Sequence, residues 1–310
     1  MVASPATTEV ARNSSHVPAA VGKALIATLC WGVSFIAMRM ALECAEPFGV
    51  VWMRNAVGAA LLFAMLRAKG EALLPLREDR ARCFGLGLLM GVHMLLQSTS
   101  MKLTTAMRAG WIVAFIPVVV AAGARVFLKQ RMRGFGWVGI GVATLGVLVL
   151  TSTRPEQFAD ASAGDLLMLA STFTWAAYSL LSIGPSRRSG GLRVSAASLA
   201  VSVLPSAAAA AWFGTWHVEP TARSIGALAF LAICASALSM WMFADALAVL
   251  GPERTAAFQY LQPFVTLVAS FVVLGEPFTV ALFVGGPLVL AGVWLVQRAK
   301  RAAVTSPPVE

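Results

Sequence analysis

The chain has 310 residues, of which 58% are hydrophobic and only 12% are charged, and its mean hydropathy is +0.78. This composition excludes an ordinary water-soluble domain and predicts a protein dissolved in the lipid bilayer. The net charge of +10 would suggest a nucleic-acid partner in a soluble protein, but here the basic residues fall between apolar runs, where they act as topology signals.

Ten apolar stretches are long enough to cross the hydrocarbon core, which takes roughly 20 residues of helix. They follow one another along the chain with no room for a separate soluble domain. The predicted helices cover residues 23–43, 47–67, 82–102, 105–128, 134–152, 164–184, 193–214, 224–249, 252–274 and 277–298.

Lysine and arginine are distributed unevenly over the connections between these helices. With the N-terminus in the cytoplasm, most of them fall on cytoplasmic segments, and only Lys102, Arg108, Arg154 and Arg223 fall on the opposite side. The asymmetry predicts a multi-pass protein of the cell inner membrane with two cytoplasmic tails, residues 1–22 and 299–310.

The chain contains an internal repeat. When each residue is laid on the residue 146 positions later, Pro117 falls on Pro263 and Gly146 on Gly292. The two units are 23–152 and 164–298, with five helices each. Because five is odd, the second unit must cross the membrane upside down, and inverted repeats of this kind surround a central binding site in transporters.

Several aromatic residues lie near the middle of predicted helices instead of at the membrane interfaces, where Trp and Tyr normally collect. They are Trp31, Trp175, Tyr178 and Trp241. Two explanations stay open, an aromatic wall of a central cavity and simple packing between helices.

Polar side chains at membrane depth are costly unless they are paired or hydrated. His93 and Gln97 share one face of the third helix, and Gln259 and Gln262 share one face of the ninth. A shared aqueous cavity is the favoured interpretation, and hydrogen bonds between helices are the alternative. His93 could bind a substrate carboxylate, respond to protons or be a satisfied neutral histidine.

Three further residues are candidates for a gate or hinge. Pro117 and Pro263 each remove a backbone hydrogen bond from the middle of a helix and allow a kink. Arg54 could extend towards the outer surface in a structural role, clamp an anion or close an outer gate. Asp245 is the only carboxylate expected well inside a helix, so exchange or facilitated diffusion is favoured over tight proton coupling.

The sequence resembles the drug/metabolite transporter superfamily, specifically its EamA-type members. The residues that carry the resemblance include Trp31-Gly32, Trp175-Ala176-Ala177-Tyr178 and the Leu274-Gly275-Glu276-Pro277 segment. The first half departs from this pattern, because Lys129-Gln130 stands where Gly275-Glu276 stands in the second. Within the superfamily, the sequence resembles the YddG-type amino-acid exporters.

The resemblance implies an all-α integral membrane fold, with ten transmembrane helices as two inverted five-helix repeats around a central cavity. It also implies export or exchange of small metabolites by alternating access. We expect amino acids, including aromatic ones, as substrates, no cofactor or metal, no nucleic-acid partner, and a monomer or weak homodimer in the bilayer. The residues expected to bind substrate are Trp31, His93, Gln97, Trp111, Trp175, Tyr178, Ser239, Trp241, Gln259, Tyr260 and Gln262.

Three alternatives remain at the level of the sequence. The chain could export other metabolites or drugs of the same superfamily. A channel is not separable from a carrier by sequence, because pore width and gating decide between them. An intramembrane enzyme is less favoured, because the sequence has no paired-aspartate, HExxH or GxSxG constellation at membrane depth.

Overall fold

The computed structural model describes residues 5–127, 134–151, 158–215, 221–278 and 280–304. These residues form ten helices, of which α4, α8 and α9 are interrupted and are given by their segments. In chain order they are α1 (Pro5–Ala41), α2 (Pro47–Ala68), α3 (Arg80–Leu103), α4 (Ala106–Val113 and Ile116–Phe127), α5 (Gly134–Thr151), α6 (Phe158–Ser189), α7 (Gly191–Trp212), α8 (Ala222–Phe230, Leu231–Leu238 and Ser239–Leu250), α9 (Pro252–Phe258, Gln259–Leu261, Gln262–Ala269 and Ser270–Leu274) and α10 (Val280–Val304).

Eight of the helices in the described part of the chain are long and apolar enough to cross a membrane, and α5 and α10 contribute two shorter apolar stretches, 136–147 and 282–295. The prediction of an all-helical membrane protein is therefore confirmed. The predicted ends at 128 and 152 and the Lys129-Gln130 pair lie outside the described residues. So do the ends of both predicted tails.

Corresponding helices of the two halves make corresponding contacts. The main contacting pairs are α5 with α10, α3 with α6, α1 with α8, α2 with α7, α3 with α7, α2 with α8, α4 with α6, α1 with α9 and α4 with α9. The same set of pairs results when each helix is replaced by its counterpart in the other half, α1 by α6, α2 by α7 and so on to α5 by α10. The pattern agrees with a two-half layout, whereas the inverted orientation and the exact domain boundaries stay predictions.

Small residues allow the closest helix contacts, as is usual where lipid supplies no hydrophobic drive for association. A Cβ atom on Gly146 of α5 would lie 2.6 Å from the backbone nitrogen of Val289 of α10. A Cβ atom on Gly32 of α1 would lie 2.7 Å from the Cβ of Val265 of α9. Glycine is therefore required at both crossings.

The buried apolar residues fall into two main groups. The larger group joins α1, α2, α3, α4, α6, α7, α8 and α9. A separate group joins one side of α4 to α5 and α10, and includes Trp111, Phe115, Val147 and Val289. The paired helices α5 and α10 thus lie beside the main bundle, and the centre of the molecule is enclosed by the other eight helices.

Glu276, which follows α9, caps the N-terminus of α4. Its two carboxylate oxygens accept hydrogen bonds of 2.9 Å from the backbone N–H groups of Ala106 and Met107. The first N–H groups of a helix have no partner inside the helix, and the helix dipole favours a negative charge there. This cap explains one chemical role of the Gly275-Glu276 segment.

The expectation that Asp245 is the only carboxylate well inside a helix is wrong, because Asp165 lies in α6 and is completely buried. Its carboxylate forms an ion pair with Arg108 of α4 and accepts a hydrogen bond of 2.6 Å from Thr104. The sequence reading missed Asp165 because it lies within two residues of the predicted start of its span. The pair ties α4 to α6.

Candidate functional site

A cavity lies at the centre of the bundle, between α1, α2, α3, α4, α6 and α9. It encloses about 400 Å³ of space between atoms, including its opening. The lining residues are Trp31, Ser34, Phe35, Arg54, His93, Met94, Gln97, Val113, Ile116, Trp175, Gln259 and Gln262.

Two lining side chains are held by a π-helical turn in α8, which covers Leu231–Leu238. Trp31 donates its indole N–H to the carbonyl oxygen of Ala235 at 2.9 Å, and Arg54 donates Nε–H to the hydroxyl oxygen of Ser236 at 2.9 Å. A π turn shifts the backbone hydrogen bonds by one residue, and such turns are frequent at functional sites. Helix α8 therefore does not line the cavity itself but fixes the positions of Trp31 and Arg54, which do.

The small residues of this π turn let α2 approach closely. A Cβ atom on Gly58 of α2 would lie 3.1 Å from the Cβ of Ser236 and 3.2 Å from the carbonyl oxygen of Ala232. Arg54 lies one helical turn before Gly58 on the same helix. The close contact therefore brings the guanidinium within reach of Ser236.

Aromatic rings form one side of the cavity. The Trp31 and Trp175 ring centroids are 4.9 Å apart in an edge-to-face arrangement, and Phe243 of α8 lies 5.1 Å from Trp31 and 5.3 Å from Trp175. These separations are typical of favourable aromatic pairs. The cluster lies between the cavity and the end of the bundle where Lys23 of α1 pairs with Asp245 of α8 at 2.6 Å.

His93 of α3 is oriented by α6. Its Nδ1 lies 3.0 Å from the carbonyl oxygen of Ser171 and 3.2 Å from the hydroxyl oxygen of Thr174. A carbonyl oxygen only accepts hydrogen bonds, so Nδ1 carries the hydrogen and a neutral His93 keeps Nε2 as an acceptor. The ring also lies 5.3 Å from that of Trp175, which places an acceptor beside the aromatic cluster.

Both prolines predicted as hinges lie next to breaks in their helices. Helix α4 is interrupted at Ala114–Phe115, two residues before Pro117, and α9 forms a 3-10 turn over Gln259–Leu261, just before Pro263. A proline has no N–H to bond to the preceding turn. The lining residues Val113, Ile116, Gln259 and Gln262 all lie at these two breaks.

Helix α9 is fixed against α1 below the second break. Thr266 donates from its hydroxyl to the carbonyl oxygens of Gly32 and Gln262, both at 2.9 Å. Thr266 is completely buried. This contact sets the position of Gln262 relative to Trp31, the residue before Gly32.

Towards the other end of the bundle, a second space of about 870 Å³, which includes open solvent, lies among α1, α3 and the end of α9. Arg39 lies one turn beyond Phe35 on α1, and Met101 lies one turn beyond Gln97 on α3. Arg39 donates to the carbonyl oxygen of Met101 at 2.8 Å. The two spaces therefore follow the same helices in succession.

The structure brings together six of the residues expected to bind substrate, and it adds Arg54, which was expected at a gate. The six are Trp31, His93, Gln97, Trp175, Gln259 and Gln262.

Five other expected residues lie away from this cavity. Trp111 packs against α10, where a Cβ atom on Gly286 would lie 2.9 Å from its ring. Tyr178 stacks behind Trp175 with ring centroids 5.6 Å apart. Ser239 donates to the carbonyl oxygen of Cys234 at 2.6 Å, and Tyr260 packs against the second apolar group.

The fifth of these residues, Trp241 of α8, contacts lysine side chains and does not line the cavity. The ammonium groups of Lys23 and Lys69 lie 5.1 and 4.7 Å from its ring centroid. Such contacts are cation–π interactions, and they engage this ring away from the cavity.

Sequence reasoning missed six residues that line or back the cavity. Ser34 and Phe35 could have been found from the sequence, because they lie three and four residues after Trp31 and therefore on the same face of α1. The six are Ser34, Phe35, Met94, Val113, Ile116 and Phe243.

The comparison with protein families decides the class of the molecule. The model of the EamA-like transporter family matches residues 19–152 and again residues 162–298. The chain belongs to the EamA-like transporter family. This EamA-like protein is therefore a membrane transporter of the drug/metabolite type, which implies a small-molecule substrate and a lipid environment.

Curated relatives of this EamA-like transporter cover nearly its whole length. It is 28% identical over 290 residues, 90% of its own chain and 93% of the relative, to a probable terminal-alkyne amino-acid exporter of Streptantibioticus cattleyicolor. It is 25% identical over 282 residues, 88% and 92%, to a probable amino-acid metabolite efflux pump of Salmonella typhimurium.

A solved crystal structure has the same fold as the EamA-like transporter. The TM-score is 0.70 at 20% sequence identity, and the match covers 93% of this chain and 99% of the other. At this identity the likeness concerns the fold alone.

Proposed function

We propose that this transporter moves small amphiphilic metabolites, with amino acids as its substrates, by alternating access through the central cavity. The observation that carries the proposal is the combination of an aromatic side, Trp31 and Trp175, with the polar side chains of Arg54, His93 and Gln262 in one cavity. Polar groups at this depth are costly unless they serve a pathway or a bound solute. An amino acid offers a matching apolar side chain and polar backbone groups.

The names of two relatives, an amino-acid exporter and an amino-acid metabolite efflux pump, support the substrate class. The cavity chemistry supports it independently. Indole rings offer flat apolar faces and bind cations over them, while amides and imidazole fix the orientation of a ligand by hydrogen bonds.

The two ends of the cavity support a carrier over an open channel. At one end, the halves are held together by the Trp31, Trp175 and Phe243 cluster and the Lys23 to Asp245 ion pair. Towards the other end, a wider space begins one helical turn from the lining residues. The aromatic cluster and the ion pair close the first of these ends, and alternating access requires α1 and α8 to separate there.

We place the closed end at the cytoplasmic face of the inner membrane. Basic side chains concentrate at this end and support the assignment by the positive-inside rule. Lys69, Arg187, Arg188 and Arg193 lie at the ends of α2, α6 and α7, and Lys23 lies near the start of the apolar part of α1, Val17–Ala41.

The test is uptake of a radiolabelled amino-acid panel into proteoliposomes, with and without an imposed pH gradient. We expect saturable uptake of aromatic and large aliphatic amino acids that is insensitive to the gradient. Empty liposomes and liposomes with heat-inactivated protein are the controls. No uptake of any amino acid by folded protein would discard this substrate class and keep the transporter family.

A further inference from the structure

Arg54 is a buried cation without a counter-charge among the side chains that the structure describes. Its side chain lines the cavity, and the residue is 2% exposed. Its Nε–H donates to Ser236, and none of the ion pairs among the described residues includes it. A buried charge is strongly destabilising unless an opposite charge or several hydrogen bonds compensate for it.

Eight carboxylates have side chains that the structure describes, and all eight are engaged elsewhere. Seven take part in ion pairs with other cations, and the eighth, Glu276, caps α4. The seven are Glu43, Glu46, Glu71, Glu78, Asp79, Asp165 and Asp245. None of the eight lines the central cavity, so the cavity has a fixed positive charge that its own walls do not balance.

Two other lining residues carry buried polar atoms that have no hydrogen-bond partner among the described residues. They are the indole nitrogen of Trp175, a donor, and the amide oxygen of Gln259, an acceptor. Both residues are more than nine-tenths buried, at 4% and 1% exposed. A buried polar atom usually finds a partner, and a bound solute would supply one.

We propose that Arg54 binds the carboxylate of the transported solute, and that the site selects for this carboxylate while it tolerates loss of the ammonium group. The proposal rests on the proposed function, that substrate passes through this cavity. Arg54 supplies the opposite charge for a carboxylate, and the Trp175 N–H supplies a further donor. An ammonium group finds only neutral acceptors, such as Gln259, and aromatic faces.

The substrate class that follows is a small organic carboxylate with an apolar or aromatic body. Amino acids belong to it, but so do their analogues without the amino group. A charge-assisted hydrogen bond in a site that excludes water is worth more than a neutral one. Removal of the carboxylate charge should therefore weaken binding far more than removal of the ammonium.

Three compounds with the same phenyl ring test the proposal on the unaltered protein. Phenylalanine has both charges, 3-phenylpropionate lacks the ammonium, and phenylalaninamide lacks the carboxylate. Equilibrium binding to purified full-length protein in detergent is measured by titration calorimetry. We expect 3-phenylpropionate to bind within about threefold of phenylalanine, and phenylalaninamide to bind at least roughly tenfold more weakly.

Equal binding of the amide and the acid would overturn the proposal and leave amino-acid transport standing if labelled phenylalanine is still taken up. Much weaker binding of 3-phenylpropionate than of the amide would overturn it in the same way. Failure of all three to bind, together with no uptake of any amino acid, would overturn both this proposal and the proposed function.

Variants locate the preference at Arg54. In Arg54→Gln the ratio of acid to amide affinity should fall towards one, whereas Arg54→Lys keeps the charge and should keep most of the ratio. Arg223→Gln is the matched control, because Arg223 is half-exposed and lies 4.0 Å from Glu43. If Arg54→Gln does not fold, Arg54→Lys and the three ligands still test the proposal. A purely structural arginine would leave the ratio of acid to amide affinity unchanged.

Discussion

The indole N–H groups of Trp31 and Trp175 have different surroundings although the rings touch each other. That of Trp31 donates to the carbonyl oxygen of Ala235, whereas that of Trp175 has no partner among the described residues. Both rings are almost fully buried. The first N–H therefore serves the fold, and the second is the donor that our proposal assigns to a bound solute.

Replacement of each tryptophan by phenylalanine separates these roles. Both changes lose the same volume, so their difference reports the N–H group. Trp31→Phe should lower the free energy of unfolding by about 1–3 kcal/mol more than Trp175→Phe, because it leaves the Ala235 carbonyl without its partner. Thermal unfolding followed by circular dichroism measures this.

The effect on substrate binding should be larger for Trp175→Phe, the opposite of the order expected for stability. Trp175→Phe should weaken phenylalanine binding roughly three- to tenfold, the worth of one neutral hydrogen bond. Equal stability of the two variants, together with unchanged binding by Trp175→Phe, would contradict the assignment of the two N–H groups.

At the scale of residues, the sequence identified side chains whose transfer into lipid costs free energy. His93, Gln97, Gln259 and Gln262 are polar at membrane depth, so physical chemistry alone pointed to a cavity. It could not place Trp111 or Trp241, because a tryptophan is equally suited to a cavity wall, a helix contact or the membrane interface. Only packing distinguishes these environments.

At the scale of helices, the breaks near Pro117 and Pro263 were expected from the missing N–H group of proline. The π turn of α8, Leu231–Leu238, was not expected. Its sequence of small and apolar residues is compatible with an ordinary helix, and its geometry depends on the partners that bind it, Trp31 and Arg54. Such tertiary contacts are invisible in a local pattern.

The α5 to α10 contact gives a test at this scale. Gly146→Ala should destabilise the protein by about 1–3 kcal/mol, because the added Cβ meets the backbone of Val289 at 2.6 Å, where nothing can move aside cheaply. Gly141→Ala is the matched control on the same helix, since a Cβ there meets nothing within 4 Å.

Thermal unfolding in detergent, with the yield of monodisperse protein as a second readout, compares these two variants. Equal stability of Gly146→Ala and Gly141→Ala would show that α5 and α10 are not in the close contact described.

For the whole molecule, composition and the lengths of the apolar runs already predicted a ten-helix membrane bundle, because few other structures satisfy every backbone group in lipid. The internal repeat also pointed to a site between two halves. The sequence alone did not show which end is closed, because closure depends on contacts between distant helices. Lys23 and Asp245, 222 residues apart, are one such contact.

Alternating access predicts that the closed end must open during transport. In a variant with its four native cysteines replaced by alanine, Lys23→Cys and Asp245→Cys can be joined by a short reducible cross-linker. Transport should stop on cross-linking and return after reduction, because α1 and α8 can no longer separate. Each single-cysteine variant, treated in the same way, should keep its activity.

The measurement that tests the central claim most directly is counterflow of labelled phenylalanine in proteoliposomes. Vesicles are loaded with excess unlabelled phenylalanine and compared with unloaded vesicles. A carrier that alternates about the central cavity should accumulate label transiently and saturably in loaded vesicles only. Entry of label that is non-saturable and independent of loading would contradict the account and indicate a channel.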